Sequence, residues 1–188
     1  MSPTSTPFDR YVETLLAGGG TGPTHPLDPE AIAGARLFID DERTRCLQCH
    51  NGPMLTNGSF HNIGTGNFAG ERLDFGRVFG VRAVLLDEFN CLGPHSDAPP
   101  DSCLELRFLN TSAPVPLDGA FKVPPLRNVA ATAPYMHDGS MPTLEAVMAH
   151  YNEPPRDAGA PHELRPLGLS AIEVARLIAF LRSLSPEQ

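Results

Sequence analysis

No apolar run in this sequence approaches the roughly 20 residues needed to cross a bilayer as a helix, which excludes a chain that spans the membrane on one. Basic residues are few and scattered: 14 Lys and Arg against 22 Asp and Glu leave a net charge of -8. Phosphate binding needs clustered cations, so a nucleic-acid partner is excluded, while a basic redox partner suits the charge. The Ser/Thr/Pro-rich start, Met1 to Phe8, lacks the basic and apolar regions of a secretory signal.

What is present fits one domain. A chain of 188 residues is long enough to bury a core or wrap a large cofactor, and an apolar fraction of 41% excludes wholesale disorder. Against that, 17 Gly and 20 Pro imply long, turn-rich connections able to fold around a flat ligand. Residues 1–27, with Gly18-Gly19-Gly20 and several prolines, read as a linker or arm holding a short helix around Tyr11 to Leu16, packed against something outside this chain. Asp28-Pro29-Glu30 opens a helix, with Asp28 as cap, Pro29 at the first helical position, and Ile32, Ala35, Phe38 and Ile39 as an apolar stripe.

From Gly52 to about Val81 the chain reads as a loop with Phe60, Phe68, Phe75 and Phe79 turned inward. Val81 to Phe108 reads as a hairpin-like excursion, an insertion of about residues 84–110, with prolines preventing helix between Cys91 and Cys103. Two further helices are expected. One starts at Thr143 and carries Leu144, Val147, Met148 and Tyr151 on one face, and Pro154-Pro155 ends it. The other opens on the capping box Ser170-x-x-Glu173 and stops at Pro186. The fold class is therefore mainly α.

The chemistry lies in Cys46-Leu47-Gln48-Cys49-His50. Two thiols three positions apart share one side of a helical turn, where they add to the two vinyl groups of a haem, and the histidine that follows places an imidazole under the iron. From this composition a chance Cys-x-x-Cys-His is expected on the order of 0.003 times per chain, so the motif is signal. Zinc would need a second matched pair, but Cys91 and Cys103 are separated by eleven intervening residues. A thioredoxin-like pair would need a βαβ context, whereas this motif leaves a helix for a Gly-rich loop. One covalent haem c is the reading, and the remaining Cys91 and Cys103 form an even pair suited to a disulfide in an oxidising compartment. The sixth iron ligand decides between electron transfer and binding of peroxide or dioxygen. Candidates are Met54, Met136, Met141, Met148, Tyr151, His61, His95, His137, His150 and His162.

The run Phe121-Lys122-Val123-Pro124-Pro125-Leu126-Arg127-Asn128-Val129-Ala130, followed by Thr132-Ala133-Pro134-Tyr135-Met136-His137-Asp138-Gly139, closely resembles the C-terminal haem domain of bacterial di-haem cytochrome c peroxidases and the MauG type. The likeness covers roughly residues 28–185. It takes in Gly34-Ala35-Arg36-Leu37-Phe38, Gly52-Pro53, Phe60-His61-Asn62 and Asp74-Phe75-Gly76-Arg77. Pro7-Phe8-Asp9-Arg10-Tyr11 looks like the stretch joining the family's two haem domains. No second Cys-x-x-Cys-His occurs, so the chain resembles the C-terminal half alone, a cytochrome c domain over residues 28–188 with an arm from an absent N-terminal haem domain.

The resemblance implies a cytochrome c-like helical fold and an electron-transfer role in an oxidoreductase acting with hydrogen peroxide. It also implies a redox donor or protein substrate as partner and a periplasmic location, the export signal having been removed or lying in a longer precursor. A stand-alone mono-haem electron carrier is the alternative. The position aligned with the classical methionine ligand is Tyr151, as in the tyrosine-ligated MauG type; its helical face supports it, with Met136 and Met148 as the alternatives. The family further implies a calcium ion held by backbone oxygens of Thr132 and Pro134. Arg127 is assigned to a haem propionate, with an ordinary ion pair as its rival. His137 and Asp138 shape the loop over the haem edge, and no residue is assigned as catalytic.

Overall fold

A computed structural model describes residues 5–19, 26–65, 74–99, 101–109, 119–156 and 161–187. Among them the order is α1 (Pro7–Leu16), α2 (Pro29–Ile39), a 3-10 turn (Cys46–Gln48), β1 (Phe60–His61), α3 (Arg77–Leu86), α4 (Leu104–Arg107), β2 (Phe121–Lys122), a second 3-10 turn (Val129–Ala131), α5 (Leu144–Asn152) and α6 (Ala171–Ser183). The fold is mainly α and cytochrome c-like. The chain forms two compact units, one of residues 1–59, 123–154 and 165–188, the other of 60–122 and 155–164.

In the first unit the helices begin where the sequence supplies caps. Thr6 and Asp9 form a reciprocal box ahead of α1, with Pro7 at the first position. Asp28 accepts from the Glu30 amide at 2.7 Å. Thr143 accepts from the Ala146 amide at 3.1 Å, and Ser170 and Glu173 box the start of α6. The apolar faces close on one core, in which Phe180, Leu177 and Leu184 are fully buried among Phe38, Val129, Leu144, Met148 and Ile178. Each such side chain contributes about 1.5–3 kcal/mol through burial. Phe180 is central: its ring lies 5.0 Å from Phe38 and 5.3 Å, edge on, from Phe8. Gly34 is where α2 and α6 meet, since a Cβ there would lie 1.9 Å from the Arg176 carbonyl oxygen.

The described N-terminal segment therefore packs on this chain. Phe8 packs edge on against Phe180 of α6, Asp9 pairs with Arg127, and Arg10 reaches Glu187 at 3.0 Å. Sequence reading missed this because the Phe8 face has too few positions to show which core it belongs to. Gly20 of the glycine run lies outside the described residues, as does Phe68.

The second unit differs from expectation in detail. Residues 77–86 form α3 where a loop and hairpin were expected. Its sequence offers little pattern: Gly80 interrupts it, no side chain caps it, and only Val81 is buried. The excursion is built from helix and turn, with α4 one turn long; Cys91 and Cys103 are disulfide-bonded, their Cα atoms 5.9 Å apart. Phe79 faces outward, 58% exposed and stacked on Phe75. β1 and β2 pair antiparallel, Phe60 opposite Lys122. Asn62, buried, ties the unit together: its side-chain oxygen accepts from the Gly64 amide at 2.8 Å and its side-chain nitrogen donates to the Pro161 carbonyl at 3.2 Å.

Candidate functional site

α2 delivers the chain to the cysteine motif through a tight connection. The Asp40 carboxylate accepts from the amides of Glu42 and Arg43 at 3.1 and 3.0 Å, and the buried Thr44 hydroxyl donates to the Leu37 carbonyl. Arg45 then takes a left-handed conformation, φ 59°, and the chain enters the 3-10 turn at Cys46. The Cys49 and His50 amides both bond to the Cys46 carbonyl, at 3.3 and 2.9 Å, so all three motif side chains spring from one turn. Cys46 and Cys49 are not disulfide-bonded, both are half-buried, and Cys46 packs against the core. Burial raises the Cys46 thiol above its ordinary value; the Thr44 carbonyl contact opposes this and the charge of Cys49 adds to it.

His50 is oriented by the loop that follows. Its Nδ1 lies 3.0 Å from the Leu55 carbonyl oxygen, and because a carbonyl only accepts, Nδ1 carries the proton and the ring presents Nε2 as its basic nitrogen. That loop is held by Thr56, whose amide bonds to Asn51 at 2.8 Å and whose hydroxyl donates to the Val123 carbonyl at 2.7 Å. Phe38 sits against the imidazole, ring centres 6.5 Å apart. Sequence reasoning missed the Leu55 carbonyl; the only cue was Gly52, φ 71°, which turns the chain back toward His50.

On α5, the Tyr151 phenol is pushed well above its ordinary value, by burial first and then by the charges of Cys46 and Cys49. The fold has thus brought Tyr151 within electrostatic reach of both motif cysteines. His150 lies edge on to its ring at 5.9 Å. The two methionine alternatives are placed differently. Met148 is 5% exposed within the hydrophobic core. Met136, φ 69°, follows Tyr135 in a loop closed by the Tyr135–Met141 bridge. Among the other candidates, Met54 is 52% exposed.

Arg127 joins α1 to the loop after the motif, pairing with Asp9 through Nη1 and donating from Nε to the Pro53 carbonyl at 3.0 Å. Thr132 and Pro134 lie in exposed chain just past the second 3-10 turn, with the Thr132 hydroxyl donating to the Val129 carbonyl at 2.9 Å. Asp138 turns its carboxylate to the Ser140 amide at 3.0 Å. Burial works against its charge, but the Ser140 hydrogen bonds and neighbouring His137 hold it below its ordinary value. It shapes the loop as an ionised acceptor.

A helical core laid against a Cys-x-x-Cys-His turn defines a domain of the cytochrome c class. The family described as RoxA-like, cytochrome c-like matches residues 120–156. Cytochrome-c peroxidase IdrP1 of Denitromonas iodatirespirans is 31% identical over 97% of this chain and 45% of its own length. Methylamine utilization protein MauG of Methylorubrum extorquens is 30% identical over 96% of this chain and 39% of its own. A MauG-like protein associated with microbial copper homeostasis, known from its crystal structure, superposes with a TM-score of 0.62 at 25% identity, over 97% of this chain and 52% of its own. The homologues of this chain are cytochrome-c peroxidases and MauG proteins, and the matched family is cytochrome c-like, which implies haem c as the cofactor. The chain spans less than half the length of the two curated relatives.

Proposed function

We propose that this chain is the haem c electron-transfer domain of a di-haem cytochrome c peroxidase or MauG-type oxidoreductase acting with hydrogen peroxide, working beside a second haem domain in the periplasm. The observation that carries the reading is the meeting of Cys46, Cys49 and His50 on one turn, with the His50 ring oriented by the Leu55 carbonyl. The residues fit the group. Cys46 and Cys49 would form the thioether links, His50, held by the Leu55 carbonyl with Nε2 as its basic nitrogen, would bind the iron, and Tyr151 of α5 would supply a further ligand. Bound there, the haem would supply one-electron redox chemistry.

The protein's own part is to hold that centre rigid and set its potential. Phe38 and the core helices fix the His50 ring, and an oxygen ligand from Tyr151 favours the ferric state and a lower potential than a thioether would. Backbone oxygens of Thr132 and Pro134 are proposed to contribute to a calcium site completed from the companion domain. Arg127 is proposed to reach a propionate from its place between Asp9 and Pro53. The Cys91–Cys103 bridge is in keeping with an exported protein.

Optical and EPR spectra of the haem-loaded protein and its Tyr151→Phe variant test the reading. The expected result is a low-spin ferric haem with no sulfur-to-iron charge-transfer band, converted toward high spin by the substitution. A sulfur-to-iron band retained in both proteins would move the ligand to Met136 or Met148.

A further inference from the structure

The loop that orients His50 is itself held from outside, and one of its holds begins on α1. Residues 52–56 carry the Leu55 carbonyl that meets His50 Nδ1. Three bonds to residues 123–127 pin this loop. The Thr56 hydroxyl donates to the Val123 carbonyl at 2.7 Å, the Leu126 amide to the Met54 carbonyl at 3.3 Å, and Arg127 Nε to the Pro53 carbonyl at 3.0 Å. The last has a charged donor and is of the stronger kind. Its acceptor lies two residues before Leu55, so displacing the guanidinium displaces the backbone that carries the Leu55 carbonyl.

What fixes the guanidinium is Asp9. Its two carboxylate oxygens are divided between two tasks: Oδ2 accepts from the Thr6 amide at 3.0 Å and the Thr6 hydroxyl at 2.8 Å, closing the cap of α1, while Oδ1 accepts from Arg127 Nη1. Thr6 is buried, and Phe8 next to Asp9 is seated against Phe180, so the carboxylate is presented in one orientation. Both partners are only 25% exposed, which screens the pair less than a surface bridge. The planar fork of Arg donates from Nε and Nη1 at fixed spacing and so spans a carboxylate and a carbonyl together; Lys, a single point donor, does not.

We propose that Asp9 and Arg127 are positioning residues for His50: the pair sets the Pro53–Leu55 backbone that receives the Nδ1 proton, and through that bond the basicity of Nε2. The proposal rests on the haem reading above for the role of His50 as iron ligand. A firm bond at Nδ1 makes the ring a better electron donor and favours ferric iron; loosening it raises the reduction potential. A propionate contact by Arg127 would act at the haem edge and leave the His50 bond unchanged.

The test compares Asp9→Asn, Arg127→Lys and Glu187→Gln with wild type in the full haem-loaded chain carrying 15N-labelled histidine. Two quantities are read: solvent exchange of the His50 Nδ1 proton, with backbone amides of α6 as the reference for general destabilisation, and the reduction potential of the haem. Asp9→Asn should speed the exchange by about tenfold or more relative to the α6 amides and raise the potential. Arg127→Lys, which keeps the charge and removes the fork, should do the same. Glu187→Gln removes the Arg10 contact that also pins α1 and should change neither. Unchanged exchange or an unchanged potential in either of the first two variants would overturn the proposal. So would an equal response in Glu187→Gln, which would assign the effect to the docking of α1 in general. A chain without haem, or with haem iron not bound to His50, defeats the functional reading instead; the exchange of the His50 proton is still read there, so the two failures are distinguishable.

Discussion

Replacing Gly34 by alanine should weaken the domain even though alanine is the better helix former. In an isolated helix the change stabilises by about 0.5–1 kcal/mol. Here the new Cβ would lie 1.9 Å from the Arg176 carbonyl oxygen, 2.5 Å from its carbon and 2.9 Å from the Phe180 Cβ. Two of those atoms are backbone of α6, so no side chain can swing away. Restoring ordinary contact requires α2 and α6 to part locally by about 1.5 Å, which loosens Phe180 from Phe38 and disturbs the connection that delivers Cys46. Overpacking of this kind costs about 1–3 kcal/mol and more where backbone is involved. The net expectation is a loss of about 2 kcal/mol, or a fall in Tm of about 4–8 °C at this size. Denaturant and thermal unfolding of the haem-loaded protein followed at the haem band and by circular dichroism would measure it. A Gly34→Ala protein as stable as wild type would refute the close approach of the two helices.

Acidification should release α1. Burial alone would raise the Asp9 carboxyl, but hydrogen bonds from Thr6 and the Arg127 guanidinium hold it below its ordinary value, so its contribution is complete above the ordinary carboxylate range and is lost as pH falls through the lowered folded value. Asp9→Asn should therefore cost about 1 kcal/mol at neutral pH and nothing in strong acid, measured as the difference in unfolding free energy across that range. An effect independent of pH would contradict the pairing. For the bridge, the loop-closure relation with a sequence separation of 12 gives about 3 kcal/mol, felt mainly within the second unit. Cys91→Ser/Cys103→Ser should speed proteolysis within residues 84–110 and leave the haem spectrum unchanged; equal cleavage rates would count against it.

Much of the first unit was legible because its signals are local. The Asp28 cap with Pro29, the Thr143 cap and the Ser170–Glu173 box each state a helix start in two to four residues, and the apolar face of α5 states that Leu144 and Met148 are buried. The cysteine motif was legible for the same reason. Other features depend on distant chain. The docking of Phe8 on Phe180, the meeting of Gly34 with α6 and the Leu55 carbonyl behind His50 each require knowing which segments pack together. Helix α3 shows the converse limit: Gly80 and a nearly unburied sequence carry no periodic pattern, so nothing local distinguishes it from the turn-rich chain around it. Tyr151 stands between these cases, since its face was readable from spacing but its approach to Cys46 and Cys49 emerged only from the fold.

The account stands most directly on covalent haem at Cys46 and Cys49. Expression with a cytochrome c attachment system, followed by intact mass and a pyridine haemochrome assay, should give one haem per chain that survives denaturation, and Cys46→Ala/Cys49→Ala should abolish it. A wild-type chain emerging at its bare polypeptide mass, with two titratable thiols at Cys46 and Cys49, would contradict the account.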